Sequence, residues 1–245
     1  MNTIRVTIRQ AISGTGFALA IFGTVLALFF SNTSTFLRIF RTWHIQSSQG
    51  MFCMVIQESI SSDTMQLVLP ILSAVPFAAG YYDDLHSGFI KAYLPRTGYR
   101  CYILGKLAGC FTSGGMVPVA GILFFSILTG WLTQPSVQEL MDPFCGIPWI
   151  LKSSVHLFCA GALWSLIGMT AAAYTNSKPM AYAASFIFFY VLVILSQRYF
   201  QSLSLLNPKV WLDPDDSRGI GILLTLSVCT ALCFSRSARK RLKSL

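Results

Sequence analysis

The stretch "LAGCFTSGGMVPVAGILFFSILTGWL", residues 107–132, contains no charged residue. As an α-helix it is about 39 Å long at about 1.5 Å per residue, more than the roughly 30 Å hydrocarbon core of a bilayer. In lipid a backbone polar group cannot be left unpaired, so a run of this kind is predicted to be helical. A β-barrel would show alternating segments of about ten residues, and the run is continuous instead. Gly105, Gly109, Gly114 and Gly115 place small residues where neighbouring helices can approach closely, and Gly105-x-x-x-Gly109 is a helix-contact motif. Pro118 is predicted to kink or break this span.

The rest of the chain follows the same pattern. Of its 245 residues, 54% are hydrophobic and 11% are charged, and the mean hydropathy is +0.61. A soluble domain carries about 25% charged residues, so there is too little polar surface to cover a water-soluble globule. Apolar runs at about 12–31, 64–82, 107–132, 150–174, 179–197 and 219–235 predict six transmembrane helices in one polytopic domain spanning 1–245. The first run has a basic start at Arg5 and Arg9, but its core is too long for a signal peptide and no small-residue cleavage site follows, so it is read as an uncleaved span. Residues 1–11 read as a basic interfacial helix. In 33–63, "GMFCMVI" is too short to span, and helix extensions with a turn near Gly50 are expected. "NTS" at Asn32 is a short match to a glycosylation acceptor, read as chance. Residues 198–218, with "LNPKVWLDPDD", read as short, partly inserted helices.

With six spans both termini share a side. Placing them in the cytoplasm puts two-thirds of the 18 lysines and arginines in the inner segments, together with Asp83 and Asp84 alone of the nine acids. The net charge of +9 then reflects orientation and contact with anionic lipid rather than nucleic acid. The tail "RSARKRLKSL", directly after a span, is a juxtamembrane anchor on the same argument. Among seven cysteines there is no Cys-x-x-Cys or Cys/His spacing for zinc; Cys53 and Cys145 both fall on the outer side and could pair.

Reactive constellations are missing from the sequence. His44, His86 and His156 are scattered, and there is no HExxH, GxSxG or glycine-rich phosphate loop. Asp83 and Asp84 are neighbours, which on a helix point about 100° apart, so they read as a helix start rather than a catalytic pair. Span interiors are almost free of charge; Lys152 can snorkel from a span edge, and His156 reads as a hydrogen-bonded helix contact. An ion-coupled secondary transporter should show buried acids or broken-helix repeats. That reading, and a non-catalytic membrane scaffold, stand as alternatives.

Between the second and third runs lies a polar island, "DDLHSGFIKAYLPRTGYRCYILGK", residues 83–106. Its acids read as a helix start. "FIKAYL" sets Phe89, Ile90, Tyr93 and Leu94 on one face by their spacing. Pro95 is expected to end this helix, with Gly98 as a second bend. An amphipathic helix over Asp84–Leu94, at the cytoplasmic face, is either a membrane-surface anchor or a docking helix.

The order Asp84, Gly88, "FIKAYL", Arg96, Arg100, Lys106 resembles the loop between spans two and three of ABC-2 type ABC transporter permeases, especially the small permeases of lantibiotic or bacitracin-type peptide export or immunity. "LNPKVW" is similar to a Pro-containing segment before the family's last span. The resemblance implies an all-α, ABC-2 exporter-like fold in a cell membrane, that of a bacterial plasma membrane. It implies a coupling helix over Asp84, Gly88, Phe89, Tyr93, Leu94, Pro95, Arg96, Arg100 and Lys106 that seats on a separate ATP-binding subunit, where ATP and Mg are held. It further implies a second permease copy or a related permease as partner, rearrangement of spans one, two and five at their interface, and outward movement of an amphipathic peptide, drug or lipid-like substrate. Pro95 shortens the apolar part relative to the commonest family pattern. The chain has no ATPase motif of its own and no cofactor is expected in it.

Overall fold

The computed structural model describes residues 2–33, 35–37, 50–144, 146–199, 207–213 and 216–242. Among them the chain is α-helical. The helices are α1 (Asn2–Ser13), α2 (Thr15–Ser31), α3 (Met51–Ser61), α4 (Asp63–Ala74), α5 (Gly80–His86), α6 (Phe89–Thr97), α7 (Tyr99–Thr133), α8 (Val137–Leu140), α9 (Ile147–Thr175), α10 (Lys178–Arg198) and α11 (Ser217–Leu242), with a 3-10 turn at Val210–Leu212 before the last. Four of them, α7, α9, α10 and α11, are long and apolar enough to cross a membrane, and α1 with α2 forms a fifth candidate bent by 52°. The protein is an α-helical membrane protein.

α9 is the central helix. Of its apolar window 78% is buried inside the protein, against 39% for α7 and 22% each for α10 and α11. Small residues allow this. A Cβ added at Gly114 of α7 would collide with Ser165 of α9, and one added at Gly161 of α9 with the Gly114 carbonyl. Cys110 Sγ and Ser165 Oγ lie 2.9 Å apart across the same seam. Gly168 likewise admits the Ala181 carbonyl of α10, beside which Ser185 Oγ donates to the Trp164 carbonyl at 2.8 Å. Pro118 is buried within α7 and leaves it unbroken.

Two helices extend beyond their apolar runs, and one expected helix is divided. α7 begins at Tyr99, eight residues before the apolar run, because Gly98 (φ 73°, ψ 147°) is the last break and nothing in 99–106 interrupts helical bonding. α11 continues beyond the last apolar run through Arg236–Arg241, so the basic tail is helical through these residues. Run 64–82 is not one helix: α4 stops at Ala74, turns occupy 75–79, and α5 starts at Gly80. Pro76 has no N–H to continue α4 and its ring crowds the carbonyl four residues back. Pro70, by contrast, is accommodated inside α4.

The bundle has two apolar clusters. One, around Phe36, Phe52, Phe125, Trp164, Phe189 and Trp211, fills the end that carries α3 and α8. The other, around Phe77, Tyr81, Ile90, Tyr102, Met169 and Phe234, fills the end that carries α5 and α6, here the elbow end. α1, through Ala11, and the close of α11, through Phe234 and Leu242, both pack at the elbow end. At the opposite end α3 starts after a left-handed Gly50 (φ 92°). Glu139 Oε1 accepts the Phe52 N–H at 3.1 Å, and Gln57 Nε2 donates to the Phe144 carbonyl at 2.9 Å. Lys209 pairs with Asp63 there. Cys53 is disulfide-bonded; Cys145, with which it could pair, lies outside the described residues, as does His44. Asn32 is fully buried and donates to the Val55 carbonyl and Ser59 Oγ, both at 2.9 Å, so "NTS" presents no glycan acceptor.

Candidate functional site

At the elbow end the chain reverses twice between α4 and α7, and the two acids of the island hold the reversal in place. Asp83 and Asp84 diverge as helix neighbours must. Asp83 accepts from Lys178 Nζ at 2.9 Å, tying α5 to the first turn of α10; both side chains are about half exposed. Asp84 turns inward. Its Oδ2 receives Lys106 Nζ at 2.8 Å and the Tyr102 hydroxyl at 2.8 Å. Lys106 is 7% exposed at the side chain and also donates to the Gly80 carbonyl at 3.0 Å. Its ammonium lies 4.7 Å from the centre of the Phe77 ring. An ammonium has three donors, and a carboxylate, a carbonyl and an aromatic face meet it here.

Asp83 lies in the first turn of the seven-residue α5, as a helix-start acid would, and Asp84 in its second half, so both belong to α5 and not to the start of α6. The expected single helix over Asp84–Leu94 is two: α5 closes at His86, Ser87 and left-handed Gly88 (φ 72°) turn the chain, and α6 starts at Phe89. Pro95 does not end α6. It is exposed in the last turn, and the helix closes two residues later, with the Gly98 N–H donating to the Leu94 carbonyl at 2.9 Å. Gly98 ends it because its φ is positive, a conformation other residues rarely adopt.

The apolar face of α6 is shared between the protein and its surroundings. Ile90 is 2% exposed, and Tyr93 and Leu94 are half-buried against the elbow cluster. Phe89 is 49% exposed, its ring stacked on Tyr93 at 5.0 Å, and Tyr93 meets Tyr102 edge-on at 6.2 Å. Phe89 is thus a large apolar side chain of α6 that the chain itself leaves half uncovered. Arg100, on α7, is exposed, with Nε donating to the Tyr99 hydroxyl at 3.3 Å. The side chains of Lys91 and Arg96 lie outside the described residues.

Of the residues singled out in the sequence, Asp84, Gly88, Phe89, Tyr93, Leu94, Pro95, Arg100 and Lys106 fall on this one elbow. Tyr102, Phe77 and Lys178 belong to it and were not singled out. Tyr102 and Lys106 are four residues apart on one helix, so a shared face was readable. Phe77 and Lys178 reach the site through tertiary packing. Elsewhere, His156 is buried and its Nδ1 lies 3.0 Å from the Lys152 carbonyl of its own helix, while Lys152 is exposed at the bundle edge. Among the described residues no group of three His, Cys, Asp or Glu could hold a metal ion. The chain matches no family model, no curated protein and no solved structure.

Proposed function

We propose that this chain is the permease subunit of an ABC-2 type exporter, carrying α6 as the element that receives motion from a separate ATP-binding subunit. One observation carries the reading: a short helix between two positive-φ glycines, with an exposed Phe89 on its outer side and an ion pair anchoring its base. A helix that only rested on the membrane would not need its entry clamped to both α7 and α10 through Lys106 and Lys178. In this reading α1–α2 and the broken α4–α5 each cross once, giving six crossings with the elbow end in the cytoplasm of a bacterial cell. The long-range polar links agree with that count. Asp63–Lys209 and Gln57–Phe144 join segments assigned outside; Asp83–Lys178 joins segments assigned inside. Two permease copies, or this chain and a related one, complete the transporter, and the cargo is an amphipathic peptide, drug or lipid-like molecule.

The test uses a soluble ABC-type ATPase, the partner that this reading requires. Phe89→Ala should weaken its co-purification at least tenfold, since truncating a buried aromatic anchor typically costs about 2 kcal/mol or more. Tyr93→Ala should weaken it too, while also loosening the contact with Tyr102. Full retention of the ATPase by the Phe89→Ala protein would remove the docking role. A carrier driven by an ion gradient is distinguished by uptake of cargo into inverted vesicles: the exporter reading expects ATP dependence that survives collapse of the proton gradient.

A further inference from the structure

The last two turns of α11 form a surface that the coupling role does not use. Phe234, Ala238 and Leu242 are buried on the elbow cluster, so α11 stays docked to its end. Arg241 is committed to α9: Nη1 donates to Asn176 Oδ1 at 3.1 Å and Nη2 to the Tyr174 carbonyl at 3.0 Å. This brings the exposed Tyr174 beside Arg236, Ser237 and Lys240, and these side chains with Arg241 border an open cavity of about 560 Å³. Arg236 and Lys240 are exposed, and among the described residues neither makes an ion pair.

From these cations a row at four-residue spacing winds toward the middle of α11 as an apolar ridge. Leu224, Val228 and Leu232 are 45%, 59% and 58% exposed, and Arg236 and Lys240 follow at the same four-residue spacing. Rows four apart form a ridge inclined to the helix axis. From Leu224 to Leu232 it covers about 12 Å, close to the depth of one leaflet's hydrocarbon, before the cations begin. Apolar ridge, tyrosine and cation pair thus follow one another in the order of acyl chain, interface and phosphate.

We propose that the concavity between Tyr174 and the Arg236–Lys240 pair binds the phosphate head of one anionic phospholipid, with its acyl chains along Leu224, Val228 and Leu232. A zwitterionic headgroup fits less well, because its ammonium would lie beside two arginines and a lysine. The site requires the close of α11 to lie at a membrane face and does not depend on the identity of the ATP-binding partner.

Native mass spectrometry of the full chain tests this, after exchange into detergent with equal phosphatidylglycerol and phosphatidylcholine. The wild-type chain should retain one phosphatidylglycerol in preference to phosphatidylcholine. Arg236→Gln/Lys240→Gln should lower that retention about tenfold, each near-surface cation contributing several-fold, whereas Arg5→Gln/Arg9→Gln, which removes the same charge from α1, should not. Arg236→Lys/Lys240→Arg keeps the charge and should restore binding, separating a lost site from a misfolded chain. Glycerol 3-phosphate should displace the lipid poorly, and Leu232→Ser should weaken the lipid alone. Equal retention by the double glutamine variant, equal retention of phosphatidylcholine, or full displacement by glycerol 3-phosphate would each overturn the site.

Discussion

Lys106 is a buried cation whose partners all come from the elbow itself. Removing one side of such a pair leaves the other uncompensated, which costs about 3–5 kcal/mol, while replacing both with apolar or neutral groups costs much less. Lys106→Met should therefore reduce thermal stability strongly in detergent, and Asp84→Asn/Lys106→Met should recover most of the loss. Additive losses in that cycle would show that the two groups are not coupled. Lys178→Ala, at a pair about half exposed on both sides, should cost no more than about 1 kcal/mol. The residue types at this site were legible: the acids, Gly88, Gly98 and Lys106 all stood out from an apolar background. Their partners were less so, because Asp83 and Lys178 are far apart in the chain and sequence pattern carries no signal of that pairing.

At the scale of elements, the long helices were the legible part. α9 and α10 start and stop within about three residues of their apolar runs, since lipid demands an unbroken helix and the polar flanks mark its ends. Breakers decided where the reading failed. Pro76 divides the second run, where apolar composition alone suggested continuity. Pro95 and Gly98 competed to end α6, and Gly98 prevailed because its backbone (φ 73°, ψ 147°) is open to glycine almost alone. Gly98→Ala should accordingly destabilise the elbow by about 1–3 kcal/mol, read as a lower melting temperature with α7 still helical. Gly221→Ala is the counterpart: a Cβ there meets nothing within 4 Å, so helix propensity should make it neutral or stabilising by up to about 1 kcal/mol. A larger loss at Gly221 than at Gly98 would contradict this account of the elbow.

For the whole molecule, membrane class and helical architecture follow from hydropathy, but which helix lies at the centre does not. α9 and α10 are both apolar throughout; only packing separates them. Sidedness rests on the distribution of cations and has a direct check. In a cysteine-free background, Arg239→Cys should react with a membrane-impermeant maleimide only after cells are permeabilised, and Asp213→Cys on intact cells. The reverse pattern would invert the proposed orientation. The chain purified alone should hydrolyse no ATP; turnover at the level of a complete transporter would remove the two-subunit reading.

The unequal burial of the spans also bears on how this sequence can drift. α9 is enclosed on nearly every side, with Gly161, Ser165 and Gly168 pressed against neighbouring helices. It offers mutation almost no neutral ground: adding a methyl group at Gly161 or Gly168 displaces another backbone. α11 presents a broad face on which Leu, Ile, Phe and Val can replace one another without another helix of the chain having to respond. A saturation mutagenesis scan should therefore show intolerance running the length of α9 and a one-sided stripe on α11 that tolerates exchange among apolar residues. Lineages of this protein are expected to preserve their central helix while the surfaces that meet lipid are rewritten.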